Sequence, residues 1–128
     1  MRNNAKKIDL NRIKNLLESQ FPEILVAYIF GSAKDGYIKS GSDIDLAVLL
    51  DDNYDKLLEF KIAAEIEEAF KCKIDIVVLN TANPILTHEI FRNGNRLFER
   101  DSLKRAVFEV NAFRDYIDNI YFLRRRYA

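Results

Sequence analysis

Residues 24–50 read ILVAYIFGSAKDGYIKSGSDIDLAVLL, two apolar β-rich runs around a polar segment, and their reading decides the fold. The first run, 24–30, has almost no polar residue and stops at Gly31, the pattern of a strand buried on both faces. The second, 44–50, is entered through Asp43 and left through Asp51-Asp52-Asn53, a turn that can also cap the next helix. Between them, 32–42 is polar, contains Gly36 and Gly41, and predicts a turn with at most a short helix. So short a loop places the two strands antiparallel.

Outward from this centre, 8–20 carries Leu10, Ile13, Leu16 and Leu17 at helical spacing and runs into Phe21-Pro22, a helix stop. On the other side, Tyr54, Leu58, Ile62, Ile66 and Ala69 form one stripe of a helix over 54–70. A third strand follows at 73–79, and the long helical connection suits a right-handed parallel crossover from the second. Pro84 opens a shorter helix to about Arg92, Asn93-Gly94 closes it, 96–98 forms a brief extended piece, and 102–126 is a long C-terminal helix. The fold class is α/β (α+β), a small mixed sheet flanked by helices. In that topology the end of strand one and the starts of strands two and three lie at one edge.

The composition suits one domain: 128 residues, 48% hydrophobic and 31% charged. We take 1–128 as a single unit with a core over about 8–98. The charge balance, 20 − 20 = 0, gives no global reason to expect nucleic acid or an anionic membrane as partner. Arg124-Arg125-Arg126 reads as a solvated helix end that suits the macrodipole. A single cysteine, Cys72, excludes an internal disulfide framework and a multi-cysteine zinc site, and reads as a partly buried small hydrophobe. No apolar run is long enough for a membrane helix, and 1–4 leads into no signal-peptide core, so a cytoplasmic location is expected.

The chemistry gathers at the shared edge. Asp43 and Asp45, two apart on a strand, project to one face while Ile44 and Leu46 take the other, and Asp75 joins them if the crossover sets it alongside. Three adjacent carboxylates repel one another unless a cation is present, and such hard oxygen donors suit Mg2+ or Mn2+. Gly31 lets backbone approach a ligand closely, and the amides of the following turn with the Ser32 hydroxyl can hold phosphate oxygens. Adjoining phosphate and metal sites fit two-metal phosphoryl or nucleotidyl transfer, with Asp75 as ligand of the second ion or as general base. Gly-Ser, ten residues, then Asp-x-Asp arises by chance in about one chain per thousand of this length.

These residues carry a resemblance. GSAKDGYIKSGSDIDLAVLL is similar to the signature of the minimal nucleotidyltransferases of the DNA polymerase β superfamily, and KIDIVVL, 73–79, resembles the strand that brings their third carboxylate. The resemblance implies a nucleoside triphosphate, ATP, held at Gly31 and Ser32, and two divalent ions at Asp43, Asp45 and Asp75. Many relatives read close to GSRARG where this chain has Gly31-Ser32-Ala33-Lys34-Asp35-Gly36. Asp35 disfavours nearby phosphate, and Lys34 or Lys39 compensates.

Within the superfamily the chain resembles the small MntA-type antitoxins paired with HEPN toxins. Residues 85–98 and Tyr116-Ile117-Asp118 follow the outline of their tails. The resemblance implies transfer of AMP to a tyrosine of the toxin. His88, the only histidine, has no arginine before it at HEPN RNase spacing, so the chain is not the toxin, and His88 reads as a helix-surface residue. Ala106, Val110, Phe113, Ile117 and Ile120 make one stripe of the last helix, and Phe108, Ala112, Tyr116 and Leu123 a second. One stripe suffices for packing, so the other predicts a protein interface, with a toxin or a homodimer. Two other functions remain open from the residues: an antitoxin that acts by binding alone, and nucleotidyl transfer to a small molecule such as an aminoglycoside.

Overall fold

The computed structural model describes residues 5–39 and 43–127. Its centre is a four-stranded mixed sheet built from β2 (Ile24–Phe30), β4 (Ile44–Leu50), β5 (Ile74–Val78) and β6 (Asn95–Glu99), in the order β5-β4-β2-β6. β2 and β4 are antiparallel, and β4 and β5 are parallel, as the loop and crossover lengths require. β6 pairs antiparallel with the free edge of β2 and is a full strand rather than a brief extended piece. Its sequence, NRLFE, hides this because an edge strand needs few apolar positions and tolerates charge.

Alternation along β4 separates two layers. Ile44, Leu46, Val48 and Leu50 pack with Ile13 and Leu17 of α1 (Leu10–Gln20) and Ile62 and Ile66 of α2 (Leu58–Phe70). Ala47 and Leu49 turn to the opposite face, beside Val26, Tyr28 and Ile90 of α3 (Pro84–Asn93) and under Phe108 of α4 (Ser102–Tyr127). Asp9 caps α1 by accepting from the Arg12 amide, and the Phe21 amide closes it on the Leu17 carbonyl before Pro22.

Two further local expectations change. α2 begins at Leu58, not at Tyr54, because Asn53 takes a left-handed φ of 64° and the Asp55 carboxylate accepts from the Leu57 amide. Tyr54 still packs half-buried on the core, ahead of the helix. A small second sheet pairs β1 (Ala5–Lys7) with β3 (Tyr37–Lys39) antiparallel, within the segment read as a turn. Three-residue strands offer no alternation to read, although Ile38 is buried. Residues 40–42, including Gly41 of the expected turn, lie outside the described residues. Cys72 is half-buried and packed against the core. Among the described residues no helix is long and apolar enough to cross a membrane.

Candidate active site

β2 ends at Phe30, opposite Asp45 of β4, and the chain then turns through one 3-10 turn, Gly31–Ala33. Gly31 has φ +69°, and a Cβ built there would overlap Oδ2 of Asp45. Glycine is favoured on both counts, conformation and space. The Asp45 carboxylate stands in the space beside the Gly31 backbone. Ala33 is fully buried and anchors the turn, while Ser32 is exposed.

Asp43 precedes β4 and Asp45 lies on it, on the face that carries α3 and α4; Asp75 on β5 is the direct register partner of Asp45. Asp43 and Asp75 are exposed and Asp45 is half-buried. Burial raises the pKa of Asp45 above the ordinary carboxylate range, and the charges of Asp75 and Asp43 raise it further. None of the three carboxylates makes an ion pair or hydrogen bond among the described residues, which leave their mutual repulsion uncompensated. A divalent cation fits that deficit. Among the described residues no group of three or more acids, histidines or cysteines is placed to hold a metal ion by itself. An open set suits Mg2+, which keeps waters and takes substrate phosphates beside one or two carboxylates.

The lysines divide. Lys34 Nζ donates to the carbonyl of Asn93, at the end of α3, at 3.1 Å. The side chain of Lys39 lies outside the described part of the structure. Asp35 lines a surface depression with Lys7, Asp9, Asn11 and Tyr37. Asn95 Nδ2 donates to the Lys34 carbonyl, so the Asn93-Gly94-Asn95 junction, read from sequence only as a helix stop, touches the turn that follows Gly31. No local pattern announces a contact across so many residues of chain.

On the same sheet face, Tyr28 donates to Glu109 of α4 at 2.7 Å, and Arg105 donates to both Glu99 and Glu109. Burial, then the hydrogen bond and charge of Glu109, keep the Tyr28 phenol protonated far above its usual range. His88 is no free surface residue: its ring stacks on Tyr116 at 3.8 Å, half-buried between α3 and α4. Phe108, Ala112 and Tyr116 face inward, with Ala106 and Ile120 half-buried. Val110, Phe113 and Ile117 stay outside, joined by Leu103, Val107 and Tyr121, and Leu123 is also exposed. Among the described residues nothing covers this apolar strip, which at Val110 is 60% exposed. Arg124 and Arg125 are exposed at the helix end; the side chain of Arg126 lies outside the described part.

A glycine-serine turn at the end of one strand, two carboxylates at the head of its antiparallel neighbour and a third across the parallel pair define a nucleotidyltransferase. Residues 11–103 match the family "Polymerase beta, Nucleotidyltransferase", and the chain belongs to it. Within that family it is similar to the protein adenylyltransferase MntA of Shewanella oneidensis, 30% identical over 84% of this chain and 79% of that protein. It is also similar to the protein adenylyltransferase MntA of Aphanizomenon flos-aquae, 33% identical over 71% and 67%. Among solved structures, a toxin–antitoxin with AMP-PNP superposes with a TM-score of 0.77 at 27% identity, covering 93% of this chain and 94% of that one. The antitoxin fold of a tri-AMPylated Shewanella oneidensis HEPN toxin in complex with MNT antitoxin superposes with a TM-score of 0.69 at 26% identity, covering 91% and 90%.

Proposed function

We propose that the chain is an antitoxin that transfers AMP from ATP to a hydroxyl, that of a tyrosine, on a partner HEPN toxin. The observation that carries this reading is the contact of Gly31 with the Asp45 carboxylate, because a triphosphate seated on the Gly31-Ser32 turn then lies beside all three acids. Support comes from relatives that are protein adenylyltransferases and from a solved relative held by an AMPylated HEPN toxin. We treat 1–128 as one nucleotidyltransferase domain, with 102–126 as its interaction helix, working in the cytoplasm.

Two Mg2+ ions, or Mn2+ in their place, held by Asp43, Asp45 and Asp75 would offset the triphosphate charge and lower the pKa of the attacking hydroxyl. The turn amides and the Ser32 hydroxyl hold the outer phosphates and leave the α-phosphorus open to in-line approach. The acceptor oxygen bonds to that phosphorus, the bond to the bridging oxygen breaks, and pyrophosphate departs on the side of Gly31 and Ser32. Asp75, exposed across from Asp45, serves as a ligand or takes the hydroxyl proton. Val110, Phe113 and Ile117 of α4 receive the toxin; a homodimer is the competing occupant, and nucleic acid has no part in the reaction.

The test incubates the chain and its Asp45→Asn variant with Mg2+, the cognate HEPN protein and ATP labelled at the α- or the γ-phosphate. Label from the α-position alone, lost in the variant, is the expected result. Label from the γ-position means a kinase and overturns the mechanism. A stable complex without label means an antitoxin that binds only, and pyrophosphate release that needs a small-molecule acceptor means a different substrate class.

A further inference from the structure

The segment between α3 and β6 is built into the phosphate turn at several points. Ile29, two residues before Gly31, pairs with Asn95 across β2 and β6. Gly94 fits where a Cβ would stand 2.6 Å from the Ile90 carbonyl and 3.2 Å from that of Ile29, so helix end and strand end are pressed together. From this junction Asn95 donates to the Lys34 carbonyl, and Lys34 returns its ammonium to the Asn93 carbonyl at 3.1 Å. The turn's internal bonds are sparse by comparison: Lys34 N to Gly31 O spans 3.4 Å, near the limit of hydrogen bonding, and Gly36 N to Ala33 O spans 3.0 Å.

Carbonyls of a helix's last turn lack intrahelical partners and carry the negative end of its dipole, so an ammonium is well placed there. A phosphate-holding turn works only if its N–H groups are already aimed, since each degree of freedom frozen at binding lowers affinity. We propose that Lys34 and Asn95 are positioning residues that clamp the Gly31–Ala33 turn onto the α3–β6 junction, and that Lys34 acts through this clamp rather than as a phosphate ligand. The inference rests on the nucleotide site proposed above. It also reassigns the cation that the sequence offered as compensation for Asp35.

The decisive variant is Asn95→Ala, because its side chain reaches only the Lys34 carbonyl and carries no charge to lose. Dissociation constants for ATP and, by competition, for AMP are measured with Mg2+ on the full chain carrying Asn95→Ala, Lys34→Met or both, with melting temperature recorded alongside. The expected result is that each single change weakens ATP by about fivefold to tenfold and AMP by less than about twofold, with the double change no worse than about twofold beyond the singles. Asn95→Ala binding ATP like the wild type while Lys34→Met loses it would make Lys34 a direct phosphate ligand and overturn the clamp. Equal losses for ATP and AMP, following the melting temperature, would reduce both residues to general stability and overturn it as well. A wild type that binds neither nucleotide removes the site itself, a failure separable from that of the clamp because no variant enters it.

Discussion

The two faces of the central sheet are built on different terms. Toward α1 and α2 the strands present Ile44, Leu46, Val48 and Leu50 to a closed apolar layer in which Ile13, Leu17, Ile62 and Ile66 have no solvent exposure. Toward α3 and α4 the same strands present Asp45, Ala47, Leu49 and Asp75, and the layer is held by Tyr28, Glu109, Arg105 and Glu99 as much as by apolar contact. One face supplies stability that the other gives up: a half-buried carboxylate without a counter-charge is a cost to folding. The acid cluster and the exposed apolar strip of α4 both lie where packing is least complete.

The comparison breaks most visibly at Asp45. Asp45→Asn should cut nucleotidyl transfer by about a thousandfold or more in single-turnover assays, while raising rather than lowering the melting temperature at pH 7. The folded chain holds the Asp45 proton more tightly than the unfolded chain, so a penalty on folding builds as pH rises from the ordinary carboxylate range through the raised folded pKa. The penalty is absent below the ordinary carboxylate range, so the gain in melting temperature should vanish on acidification. Added Mg2+ should raise the melting temperature of the wild type and leave the variant little changed.

On the opposite face the signs reverse. Ile62→Ala, at a site without solvent exposure, should cost about 2–5 kcal/mol in urea unfolding and leave the transfer rate per folded molecule near that of wild type. Back on the face of Asp45, Tyr28→Phe removes the phenol that Glu109 accepts from and should cost about 1–3 kcal/mol, read by thermal melts. The smallest effect is a gain: Lys71 ends α2 at a left-handed φ of 54°, and Lys71→Gly should stabilise by up to about 1 kcal/mol in the same melts.

The closed face was the easier to read in the sequence. Continuous apolar runs mark β2 and β4, and helical stripes mark α1 and α2, because burial on that side imposes a period that nothing interrupts. The shared face of Asp43 and Asp45 followed from strand alternation, and the nearness of Asp75 from crossover topology. The start of α2 escaped because Asp55, rather than Asp51 to Asn53, supplies the side chain that meets the helix. β1, β3 and the full length of β6 escaped because short or edge strands are specified by their partners rather than by their own pattern. His88 escaped for a related reason: its place is set by Tyr116, on a helix that the local sequence cannot bring near. The engagement of Lys34 by Asn93 is of the same kind.

The contact between Gly31 and Asp45 also constrains how sequences of this kind can drift. While the carboxylate holds its present position, a side chain at 31 would overlap it, so the two sites are coupled. A descendant that kept α4 but abandoned catalysis would be released in a set order, with the acid exchanged for a smaller residue before the glycine could change. Even then the φ of +69° admits asparagine or aspartate ahead of other residues. A glycine retained at 31 beside a lost acid at 45 would record a recent departure from chemistry, and an asparagine there an old one.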